Sequence, residues 1–280
     1  METARLDGKV WMVTGANRGL GKALSVKLAR LGAQVVMVFR DVGRGQAALA
    51  DVRRASPSSS FTPLFVDLSS PSAVRDGVAE LADAHDVLHG LVHCAGVFTK
   101  SRSVTPDGVE TMFATNHLGP FLLTNLLLPH LERGAPARII TVSAPSTSEF
   151  DFDDLQGAKE WRPYHQFGAS KMGNLLMAFT LARKLDKAQV TSNAVHPGLM
   201  KSDLMREAPA FLRPILALVS KRPEVAAGKI AALASSKRAA GVTGAFFKGT
   251  NVSKAADYAY HVAVQERLWK ASAELVGMPG

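Results

Sequence analysis

Cysteine is nearly absent from the chain. The single thiol among 280 residues, Cys94, excludes an internal disulfide and any multi-cysteine metal site, and no metal centre is predicted. Long apolar runs are missing too. The greasiest stretch, residues 118–131, is interrupted by Pro120, Asn125, Pro129 and His130 and falls short of the ~20 residues that span a bilayer. The opening M-E-T-A-R-L-D-G-K lacks the apolar core of a signal peptide. Together these absences predict a cytoplasmic protein with no membrane partner. A clustered basic face is also lacking. The formal charge is +9, but the cations are scattered, with only small groups at Arg53-Arg54, Lys221-Arg222 and Lys237-Arg238. No aromatic-interleaved basic stretch, zinc finger or helix-turn-helix accompanies them, so nucleic acid is not an expected partner.

What is present is alternation. A chain that is 47% hydrophobic and 20% charged is ordinary for a globular protein. Short apolar runs at 10–14, 35–39, 61–66, 88–92, 138–142, 191–195 and 245–247 read as strands. Segments of helical spacing fall between and after them, at 22–31, 45–54, 72–84, 108–118 continuing past Pro120 to about 131, a helix starting at Pro163, 223–235 and 265–276. Strand–helix alternation at this spacing predicts an α/β fold, a doubly wound and mostly parallel sheet with helices on both faces. No linker, repeat or low-complexity segment divides the chain. One domain over 1–280 is expected.

Between the first strand and first helix lies T-G-A-N-R-G-L-G, residues 14–21. Glycines at 15, 19 and 21 allow a tight turn and a close approach of backbone to ligand, while the helix N-terminus faces a pyrophosphate. Its place in the alternation makes this a strong signal for a nucleotide. Arg40 follows the second strand where NAD-type sites place an acid. A cation there, with Arg18, suits a 2′-phosphate, so NADP(H) is expected ahead of NAD, although Asp41 stands beside it.

The stretch Q-F-G-A-S-K, residues 166–171, puts Phe167 and Lys171 one helical turn apart on one face. A tyrosine at that spacing would be a proton donor, its phenol pKa lowered from about 10 by the ammonium. Phenylalanine has no such proton.

With V-D-L at 66–68, C-A-G at 94–96, N-H-L-G at 116–119, F-G-A-S-K at 167–171 and H-P-G at 196–198, the chain resembles the short-chain dehydrogenase/reductase family. F-L-L-T-N-L-L-L at 121–128 and the late L-W-K-A-S point to its retinol-dehydrogenase-like branch. The resemblance implies a Rossmann-type sheet of about seven strands, a dinucleotide-binding half to about 145, a half over 146–280 with a catalytic helix and apolar lid, and a homodimer or homotetramer. It implies nucleotide contacts from Gly15, Asn17, Arg18, Gly19, Leu20, Gly21, Arg40, Asp67, Leu68, Cys94, Ala95, Gly96, Lys171, Pro197 and Gly198. It also places a substrate lid at 199–219, rich in leucine and so suited to an apolar small molecule, with Ser202 where the family often has threonine. The family's catalytic set is Asn, Ser, Tyr and Lys. Asn116 and Lys171 match it, while Ala144 and Phe167 stand at the Ser and Tyr places. Losing a general acid costs about 10²–10⁴ in rate, and losing the serine removes an oxyanion donor.

A helix starting at Pro163 would set Tyr164 on the stripe of Phe167 and Lys171, ~5 Å from the missing phenol. Ser143, Ser146, His165 and His196 are further candidates. Three functions follow as expectations. The first is non-redox chemistry (cyclisation, isomerisation or a pericyclic step) on an apolar small molecule. The second is an NADPH-dependent reductase rescued by Tyr164 or a histidine, and the third a non-catalytic binding homologue.

Overall fold

Strand β1 (Val10–Thr14) is buried along its whole length, and its side chains divide by parity. Val10 and Met12 join one apolar cluster, Trp11 and Val13 the other. A strand that is apolar on both faces needs cover on both, and the helices supply it. On one face pack α1 (Gly19–Arg30), α2 (Val42–Ala55) and α7 (Pro223–Ser235), through Leu24 and Leu28, Leu49 and Val52, and Ile230. On the other pack α3 (Pro71–Ala84), α5 (Gly119–Arg133), α6 (Pro163–Lys184) and α8 (Val262–Leu275), through Leu81, Leu122, Leu175 and Leu268.

The remaining strands are β2 (Gln34–Phe39), β3 (Phe61–Phe65), β4 (Gly90–His93), β5 (Ala137–Val142), β6 (Val190–His196), β7 (Phe246–Lys248) and β8 (Asn251–Ser253). They form one eight-stranded sheet in the order β3-β2-β1-β4-β5-β6-β7-β8. All neighbours are parallel except β8, which runs antiparallel to β7. This is a Rossmann-type doubly wound α/β sheet. Chain order reverses between β1 and β4, and the crevice beyond their carboxyl ends is where such sheets bind ligands. The computed structural model describes residues 1–198 and 222–279. The expected lid at 199–219, Ser202 included, lies outside the described residues.

The about seven strands expected are present with an eighth, because Gly249, at φ +67°, turns the chain back into a short edge strand. Two helix starts are corrected. The second helix starts at Val42 and not at 45, since Asp41 caps it by accepting from the Arg44 amide. The helix predicted over 108–131 starts only at Thr111. Gly108 has φ +79° and sits in a turn, and Glu110, buried, accepts from the Met112 and Phe113 amides to start α4 (Thr111–Phe113). The chain then passes through one π turn, Ala114–Leu118, before α5. Such single-turn bulges cluster at functional sites, and this one carries Asn116.

Candidate active site

The crevice is lined first by backbone. Gly15, with φ +65°, needs the left-handed region, and a Cβ on it would lie 2.8 Å from Ala95 Cα. The turn after β1 and the loop after β4 therefore touch backbone to backbone. The Thr14 hydroxyl fastens them, accepting from the Cys94 and Ala95 amides at 3.1 Å each. Gly21 packs against the Gly15 carbonyl in the same way. Helix α1 begins at Gly19 with no side-chain cap and no acid in its first turn, so its N–H groups and positive dipole end are open to an anion. Asn17 is half-buried, Leu20 buried, and Arg18 exposed at the rim.

Arg40 is exposed just past β2. Its neighbour Asp41 is turned to other work, accepting from the Arg44 amide at 2.8 Å and pairing with its guanidinium at 3.3 Å. These bonds hold the Asp41 carboxyl below its ordinary pKa. The negative charge beside Arg40 is thus committed elsewhere. Asp67 accepts from the Ser69 amide and hydroxyl at 2.9 and 2.7 Å, and Leu68 is buried against Gly119.

On the other side of the crevice the site is built from side chains. Asn116 is fully buried on the π turn. Its Oδ1 accepts from the Val97 amide at 2.7 Å, and its Nδ2 donates to the Val97 carbonyl at 2.9 Å and the Ser170 hydroxyl at 3.0 Å. Helix α6 is buried on all sides from Ala169 to Leu181, so Lys171 cannot reach open water along its own helix and is only 8% exposed. Its ammonium faces Gly96, where an added Cβ would lie 3.1 Å from Nζ and 3.6 Å from Asn116 Oδ1. Burial lowers its pKa from 10.5 to about 8. Burial of the Cys94 thiol pushes that group up to about 12, so Cys94 supplies no counter-charge at neutral pH.

Phe167, half-buried, holds its ring centroid 5.5 Å from Lys171 Nζ, within cation–π range. Ser143 is buried, and its hydroxyl donates to the Lys171 backbone carbonyl at 2.7 Å. Ala144 is half-buried, its carbonyl accepting from the Ser146 amide, while the Ser146 hydroxyl accepts from the Ser148 amide at 3.1 Å. Helix α6 starts at Pro163 as predicted, which brings Tyr164 onto the side of Phe167. Phe98 lies between them, its centroid 5.2 Å from the Tyr164 ring and 5.7 Å from Phe167. Tyr164 is 57% exposed. His165 is half-buried, one residue further on. His196, at the end of β6, is half-buried, and burial lowers its pKa against a hydrogen bond with the Ser143 backbone. Pro197 and Gly198, the latter at φ +97°, follow it.

The fold therefore brings together Asn116, Phe167, Lys171 and Gly96, with Cys94 coupled to the lysine, and leaves Tyr164 at the rim. Two participants escaped the sequence reading. Ser170 stands in the singled-out stretch, and its hydroxyl both receives the Asn116 amide and donates to the Phe167 carbonyl at 2.7 Å. Its adjacency to Lys171 was a usable signal. Phe98 carried none, because only the sheet brings it to α6. Among the described residues no group of three or more His, Cys, Asp or Glu side chains could hold a metal ion, and no helix is long and apolar enough to cross a membrane.

Comparison with known proteins finds relatives of the same fold. The family model for short chain dehydrogenase matches residues 9–212. Human retinol dehydrogenase 13 is 36% identical over 286 residues, covering 98% of this chain and 86% of that one. Among solved structures, an uncharacterized protein from Mycobacterium paratuberculosis superposes with a TM-score of 0.79 at 27% identity, covering 99% of this chain and 96% of that one. The RhlG/NADP active-site complex of Pseudomonas aeruginosa gives 0.70 at 25%, covering 87% and 95%.

Proposed function

We propose, from the premise that the chain belongs to the short-chain dehydrogenase/reductase family, that it binds NADP(H) and acts on an apolar small molecule by a non-redox reaction, such as an isomerisation or cyclisation. The residues fit the nucleotide. The glycine cradle at 15–21 would be filled by any Cβ at Gly15 or Gly21, and α1 offers an uncapped N-terminus to a pyrophosphate. Gly15, Asn17, Arg18, Gly19, Leu20 and Gly21 would hold the phosphates, Arg40 the 2′-phosphate, Asp67 and Leu68 the adenine end. Cys94, Ala95, Gly96, Lys171, Pro197 and Gly198 would hold the nicotinamide end. When bound, the nicotinamide supplies hydride-transfer chemistry.

One observation carries the non-redox reading. The ring facing the Lys171 ammonium is Phe167, which has no hydroxyl, and the Ser143 and Ser170 hydroxyls both donate to backbone carbonyls. Phe167 and Ala144 stand where the family's proton donor and oxyanion partner belong. A carbonyl in this cleft would meet a cation that polarises it but, among the described residues, no hydroxyl placed at the lysine to deliver a proton. Such a site lowers barriers for rearrangement more than for alcohol formation.

The packing of Tyr164 and Phe167 on the same Phe98 ring favours a second reading, a reductase in which Tyr164 replaces the lost phenol. Both are tested by NADPH titration followed by fluorescence, and then by nicotinamide absorbance with a panel of apolar carbonyl compounds. Binding without oxidation of NADPH is expected. Rapid oxidation that survives Tyr164→Phe would overturn both readings, and oxidation abolished by that change would select the second.

A further inference from the structure

Lys171 is an unusual lysine for its surroundings. It is more than nine-tenths buried, yet among the described residues its ammonium has no hydrogen bond and no ion pair, only the face of Phe167 at 5.5 Å. Its polar neighbours are occupied: Asn116 is bound to the Val97 backbone and Ser170, and Ser143 to the lysine's own carbonyl. Cys94 remains a thiol, so among the described residues no anion anchors the charge. A buried ammonium without an anion is held in its charged form only weakly, and desolvated lysines are the ones that serve as Schiff-base nucleophiles. With a pKa of about 8, roughly one chain in ten carries the neutral amine at pH 7. The amine faces Gly96, where the missing side chain leaves the Nζ against bare backbone, and two half-buried aromatic rings adjoin it, Phe167 beside the ammonium and Phe98 packed on Phe167.

We infer that Lys171 is a carbonyl-reactive amine, condensing with the aldehyde group of an apolar molecule in the cleft to form an imine. The neutral nitrogen attacks the carbonyl carbon, a C–N bond forms, and the carbonyl π electrons pass to oxygen. The carbinolamine then loses that oxygen as water, which carries away both amine hydrogens. No oxidant or reductant is consumed, and hydrolysis reverses the step. Once protonated, the imine is an electron sink that assists double-bond migration or ring closure in the attached chain. The inference deepens the proposed function and rests on it in one respect, that a carbonyl-bearing apolar molecule reaches this cleft. It also makes nucleotide and aldehyde competitors for one nitrogen.

The test is reductive trapping. The purified full-length protein, free of nucleotide, is incubated with benzaldehyde and cyanoborohydride near neutral pH, and the benzylated peptides are mapped by mass spectrometry. One benzyl group on the peptide carrying Lys171 is expected, formed faster than on surface lysines. Its rate should rise as pH approaches and passes about 8, and NADPH should slow it. Lys171→Arg should lose that adduct alone. Label confined to Met1 and surface lysines, or an unchanged adduct pattern in Lys171→Arg, would overturn the inference. NADPH titration of the same batch keeps the two claims apart. Nucleotide binding without a Lys171 adduct overturns the imine and leaves the nucleotide site standing. An adduct without nucleotide binding sustains the imine and overturns that site.

Discussion

The two walls of the crevice are made of different material. The wall from β1 and α1 is backbone: Gly15 against Ala95, Gly21 against Gly15, and helix N–H groups left uncapped. The wall from the π turn and α6 is side chain: the Asn116 amide, the Lys171 ammonium and the Phe167 ring. A backbone wall tolerates little substitution, because a Cβ at Gly15 or Gly21 collides. A side-chain wall can lose a hydroxyl while its packing survives, since phenylalanine fills the volume of tyrosine. The first wall therefore keeps what it binds, and the second can change its chemistry.

Four changes probe that contrast, in order of decreasing effect. The double substitution Phe167→Tyr with Ala144→Ser puts a hydroxyl at each of the two positions where the proposed function reads one as lacking. NADPH-dependent carbonyl reduction should rise by about 10²–10⁴-fold, the typical contribution of a positioned acid, as measured by nicotinamide absorbance. No gain would mean that the difference between the walls lies deeper than two hydroxyls.

Next in size is Lys171→Met. Burial depresses the folded-state pKa of this lysine from 10.5 to about 8, so the unfolded chain binds more protons between those values. Wild-type stability therefore rises with pH through that window, and below it the buried ammonium is a standing cost. The methionine variant should be more stable at pH 7 by up to about 3 kcal/mol, an advantage that shrinks as pH climbs from about 8 past 10.5. Urea unfolding at several pH values reads it directly, and a pH-independent difference would place the ammonium in a wetter setting.

On the backbone wall, Gly15→Val combines a strained φ of +65° with a clash against Ala95. NADPH affinity should fall by roughly 10–100-fold, the equivalent of about 1–3 kcal/mol of strain, by fluorescence titration. The smallest effect belongs to Arg40→Asp at the rim. Preference should swing from NADPH towards NADH by about tenfold, and an unaltered ratio of the two dissociation constants would remove Arg40 from the 2′-phosphate site.

Much of this was legible beforehand for one physical reason: periodicity reports burial. The doubly covered strands announced themselves as unbroken apolar runs, and α7 was read at its observed ends, Pro223–Ser235. Less legible were features set by a single capping or turning residue. Asp41 advanced α2, Glu110 delayed α4, and Gly249 added β8 at an edge too short to leave a pattern. The π turn under Asn116 was invisible, since it needs one extra residue per turn and no special side chain.

By itself the sequence determined the α/β alternation, the glycine turn and the absence of a phenol at 167, because each is written in residue type and spacing. Tertiary structure alone decided that, among the described residues, the Lys171 ammonium meets an aromatic ring and no anion. An ammonium's state depends on how much water and how many anions surround it. Those surroundings come from Gly96, Asn116, Cys94 and Phe167, which only the packing of α6 against the sheet brings to one place.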